Sequence, residues 1–416
     1  MNPKSNNYKW WLLFFLWIAF FLHQGTRQIY NAILPQIQGD FKVDSFSMGL
    51  VGTVFTMTYG LCAMPSGLAS DMLRRKWMVI SGLAIFCSGI FLSGCAWSIG
   101  LMIVFYGLLN GAGQAFYYPA ACSLLGQLHD NTRATALAIH QTALYAGIII
   151  CSCVSGFFGD IPSFGEVSGW RVPFLLFGGL GVLWALFLIF AMRDTPNVSA
   201  GQSKKGGDSS SIVDAALVVF KKPAAISLAL GFGCQVYVDV GFRTWAPTFL
   251  QGHFGMDASA AAFNAVIWHF CGAFFGVMLG GRITDRLAAR RKTVRFESNI
   301  AGLLLGAPFI FLMANTTSQL VCFASMFAFG IFRGVYDSNL FASLFDVVAK
   351  RYRASASGIM LSFAFIIGSS APAVLGLIRD NFGMDKGMAS LAIFYALGAF
   401  IILLGRNLFF YKDCEN

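Results

Sequence analysis

Apolar residues run along this chain in long blocks separated by short polar breaks. Hydrocarbon offers backbone amides no partners, so a segment crossing it must be a helix of about 20 residues. Twelve runs meet that requirement, at roughly 10–35, 46–69, 77–97, 99–125, 133–158, 170–192, 223–250, 260–284, 296–314, 317–347, 354–378 and 386–411. The first run is too long for the apolar core of a cleaved signal peptide. No small-residue cleavage site follows it, so it is expected to stay as a helix. The pattern predicts an all-α membrane protein with twelve transmembrane helices.

The polar breaks alternate in charge. Those after even-numbered spans carry Arg74, Arg75 and Lys76; then Arg193, Lys204, Lys205, Lys221 and Lys222; then Arg286, Arg290, Arg291 and Lys292; then Lys350, Arg351 and Arg353. Those after odd-numbered spans, such as Ala96–Ser98, Gln251–Ser259 and Asn315–Ser318, carry almost no basic residues. Positive loops stay inside, so the even loops and both termini are expected to be cytoplasmic, in a bacterial-type inner membrane. The longest break, 193–222, contains SAGQSKKGGDSSS and has no periodicity. It reads as a flexible linker between an N-terminal six-helix bundle, 1–192, and a C-terminal one, 223–416.

Composition agrees with lipid as the solvent. Of 416 residues, 57% are hydrophobic and 12% charged, where a soluble domain carries about a quarter charged residues. The net charge of +10 sits in the loops, where topology explains it, and no nucleic-acid partner is implied. The ten cysteines include one C-x-C, Cys151 and Cys153, with no second pair or histidine ligands beside it. Neither a metal site nor a disulfide framework is expected. No cofactor is implied, and the 43 phenylalanines read as lipid-facing and core bulk.

The chain repeats itself. GLASDMLRRK from Gly67 and GRITDRLAARRK from Gly281 each place an aspartate four residues after glycine, followed by a basic cluster. Asp71 and Asp285 lie 214 residues apart, about half the chain. A unit used twice predicts two six-helix bundles with pseudo-two-fold symmetry around a central cavity.

These two motifs resemble the G-x-L-x-D-R-x-G-R-R/K signature of the major facilitator superfamily. GWRVPFLLFGGLGVLWAL from Gly169 resembles the start of its sixth span. RTWAPTFL from Arg243 and NGAGQAFYYPA from Asn110 resemble spans seven and four of its organic anion:proton symporter and organophosphate antiporter branches. The resemblance covers essentially the whole chain. It implies gating by Asp71, Arg75, Asp285 and Arg291 through charge pairs at the cytoplasmic face. Gln114 stands where the anion:proton branch often has glutamate, so proton coupling must use another residue. Asp239 stands where the phosphate-binding arginine of the other branch would align, which disfavours a phosphate ester.

Ionisable groups inside spans are costly, by about 2.5–3.5 kcal/mol at a helix centre, so each needs a reason. Arg27 in span one is read as a substrate anchor, since guanidinium fits a carboxylate with two prongs; the alternative is a structural ion pair or snorkelling. Asp239 and Arg243 share a helix face. Either they neutralise each other, or Arg243 binds anion while Asp239 titrates; both hold if solute takes Arg243 from Asp239. Arg333 and Asp337 repeat that spacing, making Asp337 a second proton carrier. Asn339 is read as a solute ligand, and Asp346 as part of the gate or a helix cap. His140 suits proton handling, with Gln141 beside it for solute; His23 and His269, the latter next to Trp268, are weaker readings of the same kind. Gln114 and Tyr117 are expected to line the cavity with Tyr118, while Gly111 and Gly113 let helices approach.

The expected function is a secondary transporter that imports a small organic anion, of the sugar acid, sialic acid or uronate type, with protons and as a monomer in the bilayer. No Walker motif is present, so ATP does not drive it. The alternative with the same fold is a spinster-like exporter of drugs or amphipathic lipids. A membrane sensor would be expected to add a soluble domain, and an enzyme a nucleophile or metal motif; neither is found, so the chain is not expected to be an enzyme.

Overall fold

The computed structural model describes residues 3–72, 74–129, 132–193, 221–288, 290–291, 293–349 and 352–414. The linker stretch 194–220, with Lys204 and Lys205, lies outside the described residues, as do Lys292, Lys350 and Arg351. The Asp71 side chain also lies outside what the structure describes.

The chain forms α1 (Pro3–Ala32), α2 (Leu34–Phe41), α3 (Ser45–Met72), α4 (Arg75–Gly94), α5 (Ile99–Leu128), α6 (Arg133–Gly159) and α7 (Arg171–Ala191). A hairpin of β1 (Ser163–Phe164) and β2 (Val167–Ser168) joins α6 to α7. Then come α8 (Pro223–Phe254), α9 (Ala258–Ala288), α10 (Val294–Asn315), α11 (Gln319–Val347), α12 (Arg353–Gly368), α13 (Ala371–Phe382) and α14 (Met384–Cys414). Among the described residues, eleven helical stretches are long and apolar enough to cross a membrane, α12 and α13 together making one. Helix α1 is the twelfth: its 30 residues span about 45 Å. His23, Gln24, Arg27 and Gln28 dilute its apolar run.

Span one ends at Ala32 rather than at Pro35. Proline disfavours helical backbone in the residue before it, and it sits well in a first turn, where its missing N–H costs nothing. Pro35 accordingly opens the short helix α2. Pro372 does the same for α13 after the break at Ser369 and Ser370. Helix α5 carries a π-helical segment, Ile103–Asn110, which ends at a residue used in the site below.

The described residues form two compact units, one holding most of α1–α7 and the other most of α8–α14. In the first, α1 packs on α6, and α4 on α5 and α7. In the second, α8 packs on α12, and α10 on α11 and α14. These are equivalent pairings in the two halves, and α8 also packs on α14. The α4–α5 approach depends on glycine: a Cβ on Gly113 would lie 2.5 Å from the Phe86 amide nitrogen.

The first turn of α3, 44–49, groups with the second unit, and 257–263 at the start of α9 with the first. Both helix starts are capped alike. Asp44 Oδ1 accepts from the Ser47 amide at 3.0 Å, and Asp257 Oδ1 from the Ala260 amide at 2.9 Å. The Ser47 hydroxyl and amide hold the Asp44 carboxyl below its usual range. A second carboxylate then forks onto the preceding pair of amides. Asp380 takes Ser45 and Phe46 at 3.2 and 3.0 Å, and Asp160 takes Ala258 and Ser259 at 2.7 and 3.0 Å. The first N–H groups of a helix have no partner within it and carry partial positive charge, which is what carboxylates satisfy.

Candidate functional site

Each unit carries charge among its helices. In the first unit the centre is Arg27 on α1. Its Nε donates to Gln114 Oε1 of α5. Gln114 is oriented from its other end, where Nε2 donates to Asn110 Oδ1 at 2.9 Å and Thr26 Oγ1 at 3.3 Å. The amide oxygen is thereby fixed toward the guanidinium. His23 Nε2 lies 3.0 Å from the Gln114 carbonyl, an acceptor only, so this nitrogen carries the proton. The Arg27 guanidinium lies over the Tyr59 ring at 4.5 Å and near Phe55 at 5.6 Å. Its Nη2 is buried without a hydrogen-bond partner, and no ion pair to it is found among the described residues. The arrangement holds a cation by one edge and leaves another edge unused.

The second unit differs. Asp239 on α8 accepts from Arg243 one turn along and pairs with Arg333 of α11 at 2.8 Å. Arg333 Nε lies 3.3 Å from Asp337, and its Nη1 donates to His269 Nε2 of α9 at 2.6 Å. The two i,i+4 pairs expected from spacing are thus one network of two guanidiniums and two carboxylates. Its formal charge is zero. Asp239 lies deep, with 7% of its side chain exposed, while Asp337 is 35% exposed. His269 is fully buried against Phe242 and Phe329.

Other expected ligands lie elsewhere. Tyr117 is fully buried and its hydroxyl donates to the Leu16 carbonyl at 2.9 Å, so it braces α5 against α1. Asn339 donates to the Val335 carbonyl and to Ser338 Oγ on its own helix. His140 stacks on Phe20 at 4.3 Å and, with Gln141, lines a separate cavity. Sequence reasoning missed Asn110, Phe55 and Tyr59. The last two stand one helical turn apart, the only signal that marks them as one aromatic floor.

The gating residues also pair differently. Asp285 lies 3.6 Å from Arg295, which makes its shorter contact, 2.7 Å, with Asp346. Arg291 instead binds Glu297 at 3.0 Å, because both flank the turn into α10. Arg406 joins the same Glu297 carboxylate from α14, and Arg75 is buried at the start of α4.

Long apolar helices in two sets, with balanced or half-used charge in their interiors, define a polytopic membrane protein. The family model described as the Major Facilitator Superfamily matches residues 16–372, and the chain belongs to that family. It is 24% identical to the probable galactarate/D-glucarate transporter GudP of Escherichia coli, across 97% of this chain and 94% of that one. It is 23% identical to the membrane sensor protein UhpC of E. coli, across 95% and 92%. The match spans nearly the whole sensor, so the expectation that a sensor adds a soluble domain does not hold for this relative. The chain shares its fold with a bacterial homolog of the human lysosomal transporter Spinster, solved inward-facing and unoccupied, at a TM-score of 0.83, 21% identity and 99% coverage of each chain.

Proposed function

We propose that this chain is a secondary active transporter that imports a small organic anion of the sugar-acid type together with protons, by alternating access. The observation that carries the reading is the half-used guanidinium of Arg27. Arg27 is half-buried, but its Nη2 is out of solvent without a counter-charge among the described residues, and a solute carboxylate relieves that cost with charge-assisted hydrogen bonds. Gln114 fixes the direction in which the open edge points, and the Tyr59 face supports the cation from below. The similar E. coli transporter is named for galactarate and D-glucarate, both sugar acids.

Proton coupling is assigned to the second unit. There Asp337 is the more exposed carboxylate and touches one arginine, whereas Asp239 is bracketed by two. A proton on Asp337 frees part of Arg333, and Arg243 becomes available when solute replaces Asp239. Asp285, Arg291 and Arg75, with Asp71, serve the cytoplasmic gate in this reading. Both termini face the cytoplasm of a bacterial-type inner membrane, and one chain suffices.

The test is uptake by the purified chain in proteoliposomes. Labelled D-glucarate, D-galacturonate, D-glucitol and a sugar phosphate are compared with and without an inward proton gradient. Gradient-driven uptake of an acid and not of D-glucitol is the expected result. Uptake of the neutral polyol alone removes the anion reading. No uptake of any of them, with export of a drug or lipid, establishes the spinster-like alternative.

A further inference from the structure

The first unit holds a cavity that none of the residues around Arg27 lines. Its volume is about 300 Å³, and its walls are Tyr118, Cys122 and Ser123 of α5 with Arg133, Leu137, His140 and Gln141 of α6. The spacing is that of two helical stripes facing each other. A cavity of this size is at the small end of ligand pockets.

Its two sides differ chemically. His140 is 1% exposed, and its Nε2 is buried without a hydrogen-bond partner. Arg133, at the start of α6, is exposed and forms no ion pair among the described residues. Its guanidinium lies flat against Gly126 of α5, where a Cβ would stand 3.3 Å from Nε, Cζ and Nη2. Tyr118, Ser123 and Gln141 add hydroxyl and amide groups, and only Leu137 is aliphatic. One cation with several neutral donors and acceptors fits a polyhydroxylated anion and not an amphipathic lipid.

We propose that this cavity is a second solute station, in which Arg133 takes the carboxylate and Tyr118, Ser123, His140 and Gln141 take hydroxyls. The naming of the solute as a sugar acid rests on the proposed function; the station itself does not. A solute held there is bound by α5 and α6 alone, apart from Arg27.

Cys122 on the cavity wall reports occupancy. The intact chain is alkylated with N-ethylmaleimide with and without D-glucarate or D-glucitol, and each cysteine is followed by peptide mass spectrometry. D-Glucarate is expected to slow Cys122 labelling several-fold while D-glucitol does not, and the exposed Cys95 keeps its rate. Arg133→Gln is expected to abolish this protection, and Arg27→Ala to retain it. The thiol of Ser123→Cys, on the same wall, gives the same reading if Cys122 labels too slowly to follow. Unchanged labelling with D-glucarate, or protection that survives Arg133→Gln, or protection lost in Arg27→Ala, overturns the station. Uptake of D-glucarate without protection leaves the transport reading standing and removes the station. Protection through Arg133 without uptake does the reverse.

Discussion

Arg333 reaches from α11 to Asp239 on α8, with Nη1 2.8 Å from Oδ1. This contact fuses two helical-turn pairs into one buried network, and it makes Asp239 the shared counter-charge of two guanidiniums. Removing that carboxylate leaves a net buried positive charge. Asp239→Asn is therefore expected to cost about 3 kcal/mol or more of stability. Removing Arg243 as well restores neutrality, so Asp239→Asn with Arg243→Gln should melt above Asp239→Asn alone. Thermal unfolding of the three purified proteins in detergent checks this. A double variant that melts at or below the single one would show that the network is not held by charge balance.

Gln114 is neutral beside Arg27, which leaves the guanidinium its charge for solute. Gln114→Glu places a carboxylate on the same Nε and closes the pair internally. The solute KM is expected to rise at least about tenfold at pH 8, where the introduced glutamate is ionised. It should fall back toward wild type as the medium is acidified and the glutamate takes a proton. A KM independent of pH in this variant would place the solute away from Arg27.

Asp285 and Asp346 share Arg295 unequally. Asp285 is 75% exposed at 3.6 Å, and Asp346 sits at 2.7 Å with 25% exposure. Exposed ion pairs contribute about 0–1 kcal/mol. Asp285→Asn should leave the melting temperature nearly unchanged, while Asp346→Asn lowers it. An equal loss in both would show that Asp285 is held by contacts beyond Arg295.

Asp160 and Asp380 do equivalent work on two helix starts. Loss of a capping side chain costs about 0.5–2 kcal/mol. Asp160→Ala and Asp380→Ala should lower the melting temperature by similar amounts, measured in the same buffer. An effect confined to one of them would contradict their equivalence.

The helices were legible because lipid leaves a spanning chain few choices: apolar runs, basic breaks and the repeated glycine–aspartate unit are local patterns. The pairs Asp239–Arg243 and Arg333–Asp337 were legible for the same reason, since helical spacing alone puts them on one face. Their fusion was not, because it depends on which helices pack, and no spacing encodes that. Gln114 was readable as polar in a span, but its task of orienting Arg27 across 87 residues was not. Asp160 and Asp380 look like ordinary loop carboxylates until the helix start that each one caps is seen. Tyr117 misled because a tyrosine beside glycines fits a cavity wall as well as a brace.

The most direct test of the account is D-glucarate uptake by wild type and Arg27→Ala in proteoliposomes under an inward proton gradient, with matched gel-filtration profiles for the two proteins. Gradient-driven uptake in wild type and its loss in Arg27→Ala are the expected results. Undiminished uptake in the folded variant would contradict it, and would leave Arg27 as a structural charge held by Gln114 and Tyr59.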